Sequence, residues 1–357
     1  MSSTVKTNPV KQWLTDHSFA RFCATRFLLI IPTVFILVTL VFFIMRATGD
    51  PITATMGGKL PPDQIAQRIH EAGYDRPVII QFFEYLGQLL HGDLGMSSKL
   101  NMPVTQVIAT YGTATLELAL LAILVAFAVG IPLGKLAAKY RDKLPDAFIR
   151  LFSILCYAMP VFFLGLLLKM IFTVNLGLLP SSGRISLTYQ ADLQSVPVPT
   201  GLYIIDGLQT GNPDIIGDVL SHAILPAVAL GLLTAATFIR LIRTNVISTL
   251  STDYIFAARS RGVSEKRILN KHAWKPSLIP IITVMGMQIA LLLAGAVLTE
   301  TTFEWKGIGY QLAELLKARD FLAVQGIVIM IAIIVSLANF IVDVLAAYID
   351  PRVRYGK

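Results

Sequence analysis

Six stretches of this chain are apolar for too long to be buried together in a water-facing fold. They lie near residues 27–45, 114–134, 148–174, 220–239, 278–298 and 327–349. A hydrocarbon core about 30 Å thick takes about 20 helical residues to cross. A backbone in lipid must also satisfy its own hydrogen bonds, which for apolar runs of this length means helices. The sequence therefore predicts an all-α membrane protein with six transmembrane helices. Composition agrees, since 15% of the 357 residues are charged against about a quarter in soluble domains. The first stretch, between Arg26 and Arg46, carries no charge. It is too long for a secretory leader and lacks a small-residue cleavage site.

The connections carry net charges that alternate in sign without exception. They are +3 over 1–26, −1 over 46–113, +3 over 135–150, −3 over 175–221, +6 over 240–275, −1 over 299–326 and +2 over 350–357. Lys and Arg are retained on the cytoplasmic side during insertion, so both termini are expected there. Topology thus accounts for the net charge of +8. Spread over four separate pieces, the basic residues give no reason to invoke nucleic acid. Cys23 and Cys156 fall in different environments, and no disulfide or metal-site spacing is present.

Three regions follow. Residues 1–26 form a polar cytoplasmic tail. Residues 27–105 form an N-terminal module of one transmembrane helix and an outer segment, where Pro61, Pro62 and Asp63 open one helix and 78–90 repeat apolar residues at helical spacing. Residues 106–357 form a five-helix core with short connections, apart from the outer stretch 181–221. There Pro197, Pro199, Gly201, Gly207, Gly211 and Pro213 break regular structure. Small residues recur every four positions at Ala122, Ala126, Gly130 and Gly134, at Ala227, Gly231 and Ala235, and at Gly286, Ala290 and Ala294. In lipid, close backbone approach at such stripes is a main source of helix association. The first two stripes are expected to pack within the chain.

No catalytic or metal-binding arrangement is present. H-E-x-x-H, G-x-S-x-G and Walker patterns are missing, and Gly57-Gly58-Lys59 lacks the preceding glycine and the following Ser or Thr of a P-loop. The charges inside the spans are Glu117, Lys169 and Asp343. Glu117 is expected in the first turn of its span, and Lys169 close enough to the outer end to snorkel. Asp343, one turn past Asn339, is placed to pair with a basic residue of the cytoplasmic loops. A proton-coupled carrier would be expected to show deeper acidic or histidine relays.

The most basic connection, residues 253–280, predicts two short helices, 253–261 and 264–274. Ala257 and Ala258 favour helix, Gly262 can take the left-handed conformation that ends one, and Ser264 is placed to cap the next. Tyr254, the Ala257-Ala258-Arg259 step, Gly262, His272 and Leu278-Ile279-Pro280 together resemble the EAA loop of ABC importer permeases, in the form of the dipeptide, oligopeptide and nickel branch. The Glu that names the loop is replaced by Phe256, and the spacing from Gly262 to Pro280 is longer than in sugar-type permeases. Beyond the loop, "RFLLIIPTVFILVTLVFF", "HGDLGMSS", "TLELALLAILVAFAVGIPLG", "MPVFFLGLLLKMIF", "LGLLPSSGR", "ARDFLAVQG" and "YIDPRVR" resemble peptide-type permeases in the same order.

The resemblance implies a type I ABC importer transmembrane domain in a bacterial cytoplasmic membrane. It implies a coupling loop at 248–277 that seats in a cytoplasmic ATPase through Asp253, Tyr254, Ala257, Ala258, Arg259, Gly262, Ser264 and His272. It also implies a face at Gly286, Ala290 and Ala294 turned to a partner permease or the translocation path. The expected partners are a second, distinct permease subunit, two ATPases that hold ATP and Mg, and an extracytoplasmic solute-binding protein. No cofactor is expected in this chain. Peptides are the expected cargo, with nickel or another small solute as the alternative. From a different class, a receptor that docks a cytoplasmic partner without transport would also use such a loop.

Overall fold

The computed structural model describes residues 18–57, 60–278, 281, 284, 288, 292 and 296–349. The N-terminal module begins with Ser18–Ala47 (α1). At its end the Asp50 carboxylate accepts a 2.7 Å hydrogen bond from the Thr53 amide, capping Pro51–Met56 (α2) with Pro51 in the first helical position. Pro62–Glu71 (α3) and Val78–Leu90 (α4) follow where proline and apolar spacing predict them. Phe82 of α4 is buried, edge-on to Phe42 of α1 at 5.3 Å between centroids, and Tyr85 stacks on the same ring. This aromatic contact holds the outer segment against α1. A two-residue hairpin, Met96–Ser97 (β1) with Met102–Pro103 (β2), leads into the core.

The core is built on two long parallel helices, Val104–Lys139 (α5) and Pro213–Leu250 (α10). Their small-residue stripes face one another, where the sequence predicts only that each packs within the chain. A Cβ at Gly130 would lie 2.8 Å from the Cβ of Phe238, one at Gly134 2.8 Å from that of Ile242, and one at Gly231 2.7 Å from the Ala122 carbonyl. Nothing larger than hydrogen fits at these positions, which lets the two backbones approach.

The third expected span is not one straight helix. Leu144–Ala158 (α6) and Val161–Leu168 (α7), the latter extended to Asn175 by a π turn, meet at 108°. Pro160 has no N–H and drives the residue before it out of the helical region. Met159 accordingly sits at φ −79°, ψ 132°. The outer stretch is also more ordered than its prolines and glycines suggest, since it contains Leu187–Gln194 (α8) and Tyr203–Thr210 (α9).

Asp253–Ser260 (α11) and Glu265–Arg267 (α12) occupy the basic connection, followed by Val297–Phe303 (α13), Ile308–Lys317 (α14) and Phe321–Ile349 (α15). Among the described residues, four helices are long and apolar enough to cross a membrane, within α1, α5, α10 and α15, and the bent pair α6–α7 makes a fifth if it counts as one span. Most of the expected span at 278–298, including Gly286, Ala290 and Ala294, lies outside the described residues. Asp343 of α15 pairs with Arg26 of α1 at 3.2 Å, so its partner comes from the edge of the N-terminal tail rather than from a loop. Cys23 and Cys156 are both free.

Candidate functional site

The basic connection folds into a small, self-supporting unit. α11 ends in a Schellman arrangement: the Val263 amide donates to the Ala258 carbonyl at 3.2 Å and the Gly262 amide to that of Arg259 at 2.9 Å. Gly262 takes φ +76°, with open space around it, so the requirement for glycine there is one of backbone conformation. Ser264 occupies the N-cap position of α12 in extended conformation, but its side chain makes no capping bond. The chain continues through a π turn, Ile268–Ala273.

Three contacts lock α11 onto this second piece. Ile255 is fully buried against Ile268 and Ala273. The Arg259 guanidinium clasps Glu265 with two bonds, 2.7 and 3.2 Å. The Tyr254 hydroxyl donates to the His272 carbonyl at 3.3 Å. Of the predicted residues, Tyr254, Arg259, Gly262 and His272 are thus brought together by these bonds. Asp253 and Ala257 are exposed, and with about 3.6 residues per turn they fall opposite Ile255. Ala258 lies beside Tyr254, half-buried. α11 therefore presents a short exposed ridge whose reverse side is fixed.

The unit is also tied to the long helices. The Ser277 hydroxyl lies 3.0 Å from that of Thr249 and donates to the Ala273 carbonyl at 2.6 Å. One turn and a half before Thr249, Arg243 of α10 grips the fully buried Asp146 of α6 through two bonds of 2.7 Å. The Asp142 amide donates to the same carboxylate. The sequence reading placed Asp146 and Arg243 in loops and missed this pair. Their shared sign change across one basic end of the molecule was the available signal.

At the opposite, acidic end a second buried pair organises the outer stretch. Glu117 lies well inside α5, more than three turns from its start, and not in a first turn as the sequence predicts. The helix begins about ten residues before the apolar run does. One Glu117 oxygen accepts from Arg184 at 2.6 Å and the other from the Ile204 amide at 2.8 Å. Arg184 also donates to the Gly201 carbonyl and lies over the Tyr203 ring at 3.6 Å. Beside it, Glu300 of α13 is buried, accepting from the Thr115 hydroxyl at 2.6 Å and the Tyr310 amide at 2.8 Å. Lys169 donates to the Thr302 carbonyl, which explains its place near that end. Among the described residues no group of three metal-ligating side chains converges.

The sequence pattern of the binding-protein-dependent transport system inner membrane component matches residues 130–355, and that of its N-terminal companion matches 19–114. The chain belongs to this family. The permease is 39% identical over 338 residues to the di/tripeptide transport system permease protein DppB of Pseudomonas aeruginosa (strain UCBPP-PA14), covering 94% of this chain and 99% of that one. It is 38% identical to the dipeptide transport system permease protein DppB of Escherichia coli (strain K12), at the same coverage. The glutathione transport system permease protein GsiC of Salmonella paratyphi A is 33% identical over 92% of the permease and 97% of its own length. In fold, the permease resembles an inward-facing structure of the MetNI methionine ABC transporter, with a TM-score of 0.51 over 71% of this chain and all of that one, at 13% identity. That likeness gives the type I importer architecture. The permease is a multi-pass protein of the bacterial inner membrane.

Proposed function

We propose that this chain is the membrane-spanning permease subunit of an ATP-driven importer of short peptides, moving its cargo without covalent chemistry of its own. The observation that carries this is near-full-length similarity, at 38–39% identity, to permeases named for dipeptide and di/tripeptide transport. The type I fold and the basic connection are consistent with it. Six spans with both termini in the cytoplasm follow from the charge alternation and put α11 on the cytoplasmic side. There the exposed ridge of Asp253 and Ala257 serves as a coupling helix seated in an ATPase.

ATP and Mg then reside in two separate ATPase subunits, a homologous but distinct permease completes the pore, and an extracytoplasmic binding protein delivers the peptide. ATP-driven closure of the ATPases pulls α11, and the locked loop passes the movement to α10 as a rigid lever between two packings of the spans. The face at Gly286, Ala290 and Ala294 is assigned to the partner permease or the path.

The test is uptake of a labelled dipeptide into vesicles that hold this chain with its partner permease and ATPases, with the binding protein added outside. ATP-dependent accumulation is expected. Accumulation by this chain alone, or a complex that takes up nickel and no peptide, refutes the reading.

A further inference from the structure

Beside α11, on the flank that carries Phe256 and Arg259, the basic end of the molecule holds an open cleft of about 890 Å³ between the ends of α5 and α10. Its rim and floor differ in chemistry. Lys135, Lys139, Lys143 and Lys266 surround it, while Leu136, Leu250 and Leu269 line its wall. The local ion pairs, Arg141–Asp142, Arg243–Asp146 and Arg259–Glu265, do not include any of these four lysines. The cleft's acidic side chain, Glu265, is already clasped by Arg259. Four cations among the described residues thus converge on one apolar-walled groove without an anion from this chain.

Two aromatic contacts bear on the level of the groove relative to the bilayer. The Lys135 ammonium lies 3.6 Å from the centre of the Trp274 ring, and that of Lys139 5.0 Å from Tyr140. Trp and Tyr gather at the membrane–water interface, where an apolar ring body and a polar edge are both accommodated. Trp274 and Tyr140 beside two of these lysines suit a groove at headgroup depth. The exposed ridge of Asp253 and Ala257, opposite Ile255, does not line the cleft; of the residues expected at the ATPase, Arg259 borders it and is already held by Glu265.

We propose that this cleft binds an anionic phospholipid of the cytoplasmic leaflet, its phosphate held by Lys135, Lys139 and Lys143 and its acyl chains laid along Leu136 and Leu250. The inference rests on the orientation given under Proposed function. Basic pockets between helices on that side suit anionic headgroups, each Lys near the surface contributing about fivefold in affinity. The lipid would brace the end of α5 against the loop that moves with α11.

The experiment uses the complete importer, purified in detergent and exposed to mixed micelles of phosphatidylglycerol or of phosphatidylcholine, with bound lipid read by native mass spectrometry. Retention of phosphatidylglycerol but not phosphatidylcholine is expected. Lys135→Gln/Lys139→Gln should lower it about 30-fold, and Lys271→Gln, which removes a charge from the same loop outside the cleft, should leave it unchanged. Equal retention by the double variant, equal loss in Lys271→Gln, or no preference for the anionic lipid overturns the proposal. Loss of the ATPases from the double variant with lipid retained would assign the cleft to a protein interface instead. Labelling of Lys143→Cys from outside intact cells would overturn the orientation itself, while the lipid readings still report on the cleft.

Discussion

Arg243 and Asp146, 97 residues apart in sequence, meet in a two-pronged ion pair with both N–O distances at 2.7 Å. The carboxylate is fully buried and the guanidinium largely so. This pair fastens the start of the bent span α6–α7 to the last turns of α10, just ahead of α11. Under the proposed coupling role, a pull on α11 would reach two spans at once.

Removing one partner of a buried pair leaves the other charge stranded, at a cost of about 3–5 kcal/mol, whereas replacing both by apolar groups is often near neutral. Asp146→Ala should thus lower the thermal midpoint of the purified complex markedly, and Asp146→Leu/Arg243→Met should recover most of it. A single variant as stable as the parent would show that the pair holds nothing.

Gly262 stands at φ +76° with no neighbour to clash with. A side chain there costs about 1–2 kcal/mol through the backbone alone. Gly262→Val should loosen α11 from the second piece and let ATP hydrolysis proceed without uptake, whereas Gly262→Asn, tolerant of this conformation, should stay coupled. Vesicle uptake measured beside ATPase rate decides it; unchanged coupling in the valine variant contradicts the lever.

The hydrogen bond from Arg259 holds the Glu265 carboxyl below its ordinary value of 4.5. A carboxyl depressed in this way contributes stability above its unfolded-state value and loses it as pH falls through the folded-state one. The clasp should be indifferent to pH around neutrality and open only in acid below about 4.5. Both side chains are more than a third exposed, at 36% and 69%, so screening limits the contribution to about 1 kcal/mol or less. Glu265→Gln should leave the thermal midpoint alone yet raise amide exchange over residues 259–265 at neutral pH. Exchange identical to the parent would show the clasp to be idle.

Features set by local chemistry were legible in the sequence. The long apolar runs gave α1, α5, α10 and α15, and Gly262 gave the left-handed turn, because each depends on a few adjacent residues. The stripes of α5 and α10 were legible as faces, though not as partners. Pairings across long separations were not. Glu117 carries no mark that its partner is Arg184, 67 residues away, in a stretch whose prolines and glycines argue against order. The bend in the third span was a missed signal rather than a hidden one, since Pro160 sits in mid-run and the apolar count outweighed it.

The seam between α5 and α10 tolerates no added volume at Gly231, where a Cβ would sit 2.7 Å from the Ala122 carbonyl and from the Val125 Cβ. Overpacking typically costs about 1–3 kcal/mol, and here the obstruction is partly backbone. Gly231→Leu should force the two helices apart and deplete folded permease in the membrane, seen by size-exclusion of detergent extracts. A normal elution profile would mean that the seam can yield.

The outer clasp makes the last prediction. Glu117 and Arg184 are both more than nine-tenths buried, and the second Glu117 oxygen holds the Ile204 amide, so one side chain ties α5 to both ends of the segment between them. Glu117→Gln keeps an acceptor for the amide but strands the guanidinium. Glu117→Ala strands both, and the penalty should approach about 3–5 kcal/mol. The segment carrying α8 and α9 should then come off the core. Limited proteolysis from the outer face should cut within residues 184–204 fastest in Glu117→Ala, more slowly in Glu117→Gln and least in the parent. Equal rates in all three would show that the stretch is held by its apolar contacts, such as Leu193 against Ile215 and Val219, and not by the ion pair.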